Sequence, residues 1–352
     1  MPFIYLLIYI KKMKKTALLS LLFIVCVSCV SPKLITSEYI TPDPTKYMNT
    51  ITADELKTHL YIVASDSMEG RETGSAGQKK AGVYLIKQYK KENIPFPKGA
   101  QNYYQKVPAE FLNARRNDNL GDSENIWAFI EGSEKPDEVL VISAHYDHVG
   151  MKDGEVYNGA DDDGSGTVAL LEIAQAFETA KKEGHGPKRS ILFLHVTGEE
   201  HGLLGSRFYS ENPLFPIANT ITNINIDMIG RRDEAHASTN NYVYVIGADR
   251  LSTDLDNICK IANAKYVKLD LDYKFNNPMD PNHFYERSDH YNFAKNGIPS
   301  VFFFNGVHAD YHKAGDEPDK IEYDALAKRA KLAFVTAWEL ANRENRPVVD
   351  KK

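Results

Sequence analysis

Two dense groups of carboxylates are the residues best placed to do chemistry: Asp161-Asp162-Asp163 in the stretch NGADDDGSG (158–166), and Glu199-Glu200 in TGEEHGLLGS (197–206). Carboxylates packed this closely beside apolar runs repel one another and lose hydration, and a bound cation is the usual remedy. Further donors lie on either side. The run Val139–Ala144 delivers His145-Tyr146-Asp147-His148, Asp227 sits in NIDMIG (225–230), and His312 in YHKAGDEPD (311–319).

Each group admits a plainer reading. His145 and Asp147, two apart, suit a ligand with a carboxylate that fixes its tautomer, but equally a surface ion pair. The Gly-rich turn at 158–166 resembles a phosphate loop, yet it lacks the Lys such a loop requires and its three acids would repel phosphate. A calcium loop needs a spacing and a terminal Glu that are absent. Acids also suit a helix N-terminus, although three in a row exceed what capping requires. In extended backbone Glu199 and Glu200 would point in opposite directions, so one could bind metal while the other faces a substrate as a base. Asp227, within an apolar run, calls for a metal or a buried Arg. Ser288-Asp289-His290 suggests a serine hydrolase, but no GxSxG elbow accompanies it and the carboxylates would go unexplained. His148, His195, His201, His290 and His308 are read as structural.

The elements that must position these residues alternate along the chain. Strands are predicted at Asn125–Ile130, Val139–Ala144, Ile191–Val196, Ile221–Met228, Tyr242–Ile246 and Ser300–Phe304. Helices are predicted from Thr52, over Ser75–Glu92, and at Gly166–Lys181, Ser206–Ser210, Thr253–Ala262, Asp289–Asn296 and Tyr323–Arg343. Strands separated by helices indicate an α/β fold, a three-layer α/β/α sandwich around a central mixed, largely parallel sheet. Ligands in such sheets bind beyond the carboxyl ends of the strands, which is where the motifs fall.

The 352 residues, 43% hydrophobic and 26% charged, suit one large globular domain. Lys-Lys-Met-Lys-Lys (11–15) followed by the apolar run Thr16–Val30 reads as a signal peptide, shorter than the roughly 20 residues of a membrane span. Met13 reads as the natural start. A small residue before Cys29 resembles a bacterial lipoprotein processing site, whereas Cys26 departs from that pattern and leaves simple secretion open. Either way the protein is expected to be exported, to the cell envelope or beyond, with membrane contact only through that lipid anchor. Removing the four lysines before Cys29 takes the net charge from -6 to -10, which leaves no basic surface for nucleic acid. The domain expectation is a signal segment at 1–29, a Pro-containing linker at 30–48, a catalytic domain at 49–345 and a tail at 346–352. Cys259, the one cysteine after the signal segment, reads as a buried small hydrophobe.

Taken in order, His145-x-Asp147, Gly159-Ala160-Asp161-Asp162-Asp163-x-Ser165-Gly166, Glu199-Glu200-x-Gly202-x-x-Gly205-Ser206, Asp227-Met228-x-Gly230 and Tyr311-His312 resemble the motifs of co-catalytic zinc exopeptidases, the family of aminopeptidase Y and bacterial leucyl aminopeptidases. Ser288-Asp289-His290-x-x-Phe293 looks like that family's late motif, and the resemblance runs from about residue 50 to 345. It implies two zinc ions bridged by Asp162, one held with His145 and Asp227 and the other with Glu200 and His312. It makes Glu199 the general base, Asp147 the support of His145, and Tyr311 a candidate donor to the developing oxyanion. It also implies a cis peptide at Asp162–Asp163 and peptide substrates, most directly for an aminopeptidase. Glutaminyl cyclases, single-zinc transferases, resemble parts of the same motifs and form the alternative.

Overall fold

The computed structural model describes residues 42–116 and 118–351. The expected signal segment and Cys29 therefore lie outside the described residues. Near-continuous apolar runs form strands buried on both faces, as parallel sheets require. Eight strands pair in one sheet: β1 (Tyr104–Val107), β2 (Ser123–Ile130), β3 (Lys135–His145), β4 (Arg189–Val196), β5 (Thr220–Ile226), β6 (Tyr242–Ile246), β7 (Asp270–Asp272) and β8 (Ser300–Phe304). Their order is β1-β2-β4-β3-β5-β8-β6-β7. β4, β3, β5 and β8 run parallel to one another, β7 is parallel to β6, and the β1–β2, β2–β4 and β6–β8 pairs are antiparallel. The sheet is thus mixed, with a parallel centre.

Alternation along each strand assigns side chains to the two faces. Ile126, Ala128, Leu140, Ile142, Ile191 and Phe193 face a core shared with helices α1 (Ala53–Val63), α2 (Ala76–Lys91), α3 (Gly166–Lys182), α5 (Thr253–Ala262) and α7 (Tyr323–Asn342). Trp127, Phe129, Val139, Val141, Leu192 and Leu194 face the other side, under the short helices α4 (Leu204–Glu211) and α6 (His290–Ala294). The α/β sandwich expectation holds, and Cys259 is buried on α5 as expected.

Residues 42–48, in the span read as a linker, pack on this body. Tyr47 stacks on Trp338 at 5.6 Å, and the Trp338 indole donates to the Pro42 carbonyl at 2.7 Å. The edge strands β1 and β7 were not anticipated. β5 ends at Ile226 rather than at Met228, because Met228 turns into the left-handed region (φ 52°). This break lifts Asp227 out of the sheet, so its carboxylate lies beyond the strand end instead of inside an apolar run. Among the described residues no helix is long and apolar enough to cross a membrane.

Candidate active site

β3, β4 and β5 lie side by side and end at the same edge, which brings together residues from His145 to Asp227. His145 is the last residue of β3, the Glu199-Glu200 turn follows β4, and Asp227 follows β5. The 158–166 turn leads into α3, and its last residue must be very small. A Cβ on Gly166 would sit 2.5 Å from both Asp163 Oδ1 and the Ile226 carbonyl. The Asp162–Asp163 peptide is cis, as the resemblance implied. Glu199 and Glu200 lie in a tight turn, not in extended backbone: the Gly202 and Leu203 amides donate back to the Glu199 carbonyl. Gly205, at the start of α4, lets that turn approach β4, since a Cβ there would sit 2.2 Å from the Thr197 carbonyl.

Asp162 is the hub. Its Oδ1 lies 3.2 Å from His145 Nε2, which is itself 3.6 Å from Asp227 Oδ1. Its Oδ2 lies 2.9 Å from His312 Nε2, which is 3.0 Å from Glu200 Oε2. The two carboxylate oxygens therefore face two separate sets of donors. Asp161 and Asp163 face neither. Asp163 accepts from the amides of His145, Gly166 and Met228, and Asp161 from the Gly230 amide. Asp163 does stand near His145 and Asp227, within the range of a metal cluster. Its oxygens are nevertheless already engaged by those amides, which marks it as a structural acceptor.

The electrostatics match a site for cations. Although burial opposes a charge on His145, the carboxylates of Glu199, Asp227 and Asp162 raise its pKa well above the ordinary value. Asp162 is buried, yet the neighbouring imidazoles of His145 and His312 hold it well below the usual carboxylate range. Burial raises Glu199 far above that range, with Glu200 and Asp227 adding to the rise and His145 opposing it. Among the described residues His145 Nε2, Asp162 Oδ2 and Glu200 Oε1 are buried with no hydrogen-bond partner. Clustered buried donors of N and O type, unpartnered and converging, fit divalent metal ions such as zinc.

The remaining expected residues stand around this hub. His145 Nδ1 lies 3.1 Å from the Asp147 carbonyl oxygen and 3.8 Å from its carboxylate. The carboxylate instead accepts from the Thr73 hydroxyl at 2.7 Å and from the Glu199 amide at 3.3 Å, so Asp147 ties the His145 corner to the Glu199 turn. Glu199 and Tyr311 line a small pit with Asp162, Asp227, Met228 and Phe304. Tyr311 stacks on His312 at 3.9 Å, and burial beside Asp162 and Glu200 keeps its hydroxyl protonated.

The match of residues 125–337, more than half of the chain, to the family model for Peptidase family M28 decides the relationship. The chain belongs to peptidase family M28. This M28 chain is 26% identical over 235 residues to a probable leucine aminopeptidase of Trichophyton verrucosum, covering 65% of this chain and 60% of that protein. The chain thus spans three fifths or less of the first curated relatives it matches. Its fold resembles BSAP, a zinc aminopeptidase from Bacillus subtilis (TM-score 0.62, 17% identity, 83% of this chain and 96% of that one). It also resembles Porphyromonas gingivalis glutaminyl cyclase (TM-score 0.61, 19% identity, 81% and 97%).

Two residues of this M28 site, His148 and Asp316, escaped the sequence reading, and a third, Ser288, stood in the late motif without an assigned role. His148, read as structural, has its Nδ1 2.8 Å from Glu200 Oε1 and 3.8 Å from Asp162 Oδ2. Asp316 accepts the amides of Asp161 and Asp162, so the loop that carries His312 also clamps the Asp162 turn. The Ser288 hydroxyl donates to Asp227 Oδ2 at 2.6 Å, which removes it from any serine-nucleophile role. Of His148 and Asp316, only His148 had a sequence signal, its place three residues after His145.

Proposed function

We propose that this protein is a zinc metallopeptidase that releases N-terminal residues from peptides, an exported aminopeptidase anchored at the cell envelope through Cys29 or secreted. The observation that supports it best is the division of Asp162, one oxygen toward each donor set. His145, Asp162 and Asp227 would hold one zinc ion, and Asp162, Glu200 and His312 a second. Zinc there supplies Lewis acidity toward the scissile carbonyl and lowers the pKa of water.

The protein's own residues do the rest. Glu199 lines the pit with no zinc-holding duty, and its carboxylate takes the proton of the attacking water and passes it to the leaving amine nitrogen. The Tyr311 hydroxyl, kept protonated, is a donor for charge building on the carbonyl oxygen. Asp147 fixes both the His145 corner and the Glu199 backbone.

Purified protein should carry two zinc ions per chain and hydrolyse leucine p-nitroanilide but not its N-acetylated form. The fold shared with glutaminyl cyclase supplies the competing reading. One zinc per chain with ring closure of an N-terminal glutaminyl peptide, and no hydrolysis, would replace the peptidase assignment.

A further inference from the structure

Among the described residues that line the pit, Arg287 is the one Lys or Arg, facing the carboxylates of Asp162, Glu199 and Asp227. Phe284, Arg287, Val307 and Tyr311 also line a wider cavity of about 670 Å³ beside the pit, so the guanidinium stands where the two meet. Both ends of the residue are placed. The Arg287 amide donates to the Phe284 carbonyl at 3.1 Å, and the next residue, Ser288, is tied to Asp227. The guanidinium carbon lies 4.9 Å from the centre of the Phe284 ring, which is buried against Phe275 and Phe304. Attraction of a cation to an aromatic face favours this placement although the side chain is exposed.

Arg287 forms no ion pair among the described residues. Its polar contact is with Tyr311, where Nη2 donates to the phenolic oxygen at 3.4 Å. Tyr311 is held in turn by its stack on His312 at 3.9 Å, and burial beside Asp162, Glu200 and Glu199 keeps it a phenol. A guanidinium carries donors and no acceptor, so the phenolic proton cannot point at Arg287. It must leave the oxygen on another side, and there it meets no acceptor among the described residues. The hydroxyl is therefore a donor whose direction is set before any substrate arrives, and a cation behind it polarises the O–H. Donors aimed in advance are what stabilise charge developing on a carbonyl oxygen.

We propose that Arg287 is a positioning residue for the reaction in the pit: it occupies the phenolic oxygen of Tyr311 and so turns the hydroxyl proton toward the substrate carbonyl oxygen. The proposal rests on the role given above to Tyr311 and assigns to Arg287 no contact with the substrate.

Turnover of leucine p-nitroanilide by the zinc-loaded chain, compared among Arg287→Met, Tyr311→Phe and the double variant, tests that role. Arg287→Met should lower kcat about tenfold with KM held within about twofold, as for an interaction made only in the transition state. The double variant should be no slower than Tyr311→Phe alone, because Arg287 acts through the hydroxyl. Arg287→Lys, which keeps a donor, should recover part of the loss. A second measurement needs no turnover. In protein carrying carbon-13 at tyrosine Cζ, the resonance that vanishes in Tyr311→Phe should move in Arg287→Met and return toward its place in Arg287→Lys, with and without zinc. An Arg287→Met loss of the same size with and without the Tyr311 hydroxyl, a rise in KM alone, or an unmoved Tyr311 resonance would overturn the proposal. A wild-type chain that closes glutaminyl peptides and hydrolyses none ends the peptidase reading alone; the same cycle is then read on ring closure, and the resonance measurement decides as before.

Discussion

Asp161 gives one oxygen to the Gly230 amide and turns the other toward His308 at 3.3 Å, while Asp163 spends its oxygens on three amides. Asp162 keeps its oxygens for His145 and His312. Identical side chains in consecutive positions are therefore separated by how much of their acceptor capacity the backbone has claimed. Asp162→Asn should abolish zinc retention while leaving the fold intact, read by metal content after gel filtration and by circular dichroism. Asp163→Asn should do the reverse damage, because its amide would set donors against buried N–H groups, costing about 2–3 kcal/mol in denaturant unfolding. Glu199→Gln should keep both zinc ions and lose about 10²–10⁴ in kcat, as expected for a group that moves a proton. A Glu199→Gln protein with full turnover would remove the base from Glu199. At Glu200, His148 stands beside the oxygen that His312 does not approach. His148→Ala should accordingly weaken one zinc site of the two by about 10–100-fold in a chelator competition, leaving the other unchanged.

At the scale of elements, the loops that carry these residues are held by a cation without a carboxylate. Arg71 is fully buried and donates to the carbonyls of Val63, Tyr146, Asn158 and Gly159, at 2.7–2.9 Å. One guanidinium thus ties the end of α1 to the segment after β3 and to the start of the Asp162 turn. Arg71→Met would orphan four buried carbonyls at once and should cost about 4 kcal/mol of stability, measured by urea unfolding. Zinc affinity should fall with it, since Asn158 and Gly159 open the metal turn. Arg71 also marks a limit of what the sequence shows. Within a stretch of Ser, Asp, Glu and Gly it reads as a polar loop residue, because nothing local reports that distant carbonyls converge on it. Asp316 is hidden for the same reason. By contrast, apolar runs alone place His145, the Glu199-Glu200 pair and Asp227 at strand ends, whereas the choice of Asp162, Glu200 and His312 as ligands came from the ordered motifs that resemble the zinc exopeptidases. Central strands announce themselves by unbroken apolar runs. The edge strands β1 and β7 do not: Gln105, Lys106, Asp270 and Asp272 are polar, and backbone pairing on one side alone makes them strands.

Across the whole molecule, both sheet faces are covered, so histidines placed under either layer must be neutral in the folded state. His195, on β4, is buried against the Tyr89 hydroxyl at 2.7 Å, and His290, on α6, packs against Phe302. Burial lowers each to about 3, Arg250 adding to the effect at His290. A histidine whose folded pKa lies below its unfolded value takes up its proton first in the unfolded chain. Stability is then full above the unfolded value of 6.5 and is lost as pH falls from there toward about 3. Each of the two should cost about 2–3 kcal/mol between pH 7.5 and 4.5, before any carboxylate contributes. His290→Phe keeps an aromatic ring beside Phe302 and removes one titration. The difference in unfolding free energy between pH 7.5 and 4.5 should shrink in that variant by about 2 kcal/mol, measured on metal-free protein so that zinc release adds nothing to the slope. An unchanged difference would mean that His290 gains access to water or a proton partner before the chain unfolds, and that the α6 layer opens as a separate unit at low pH.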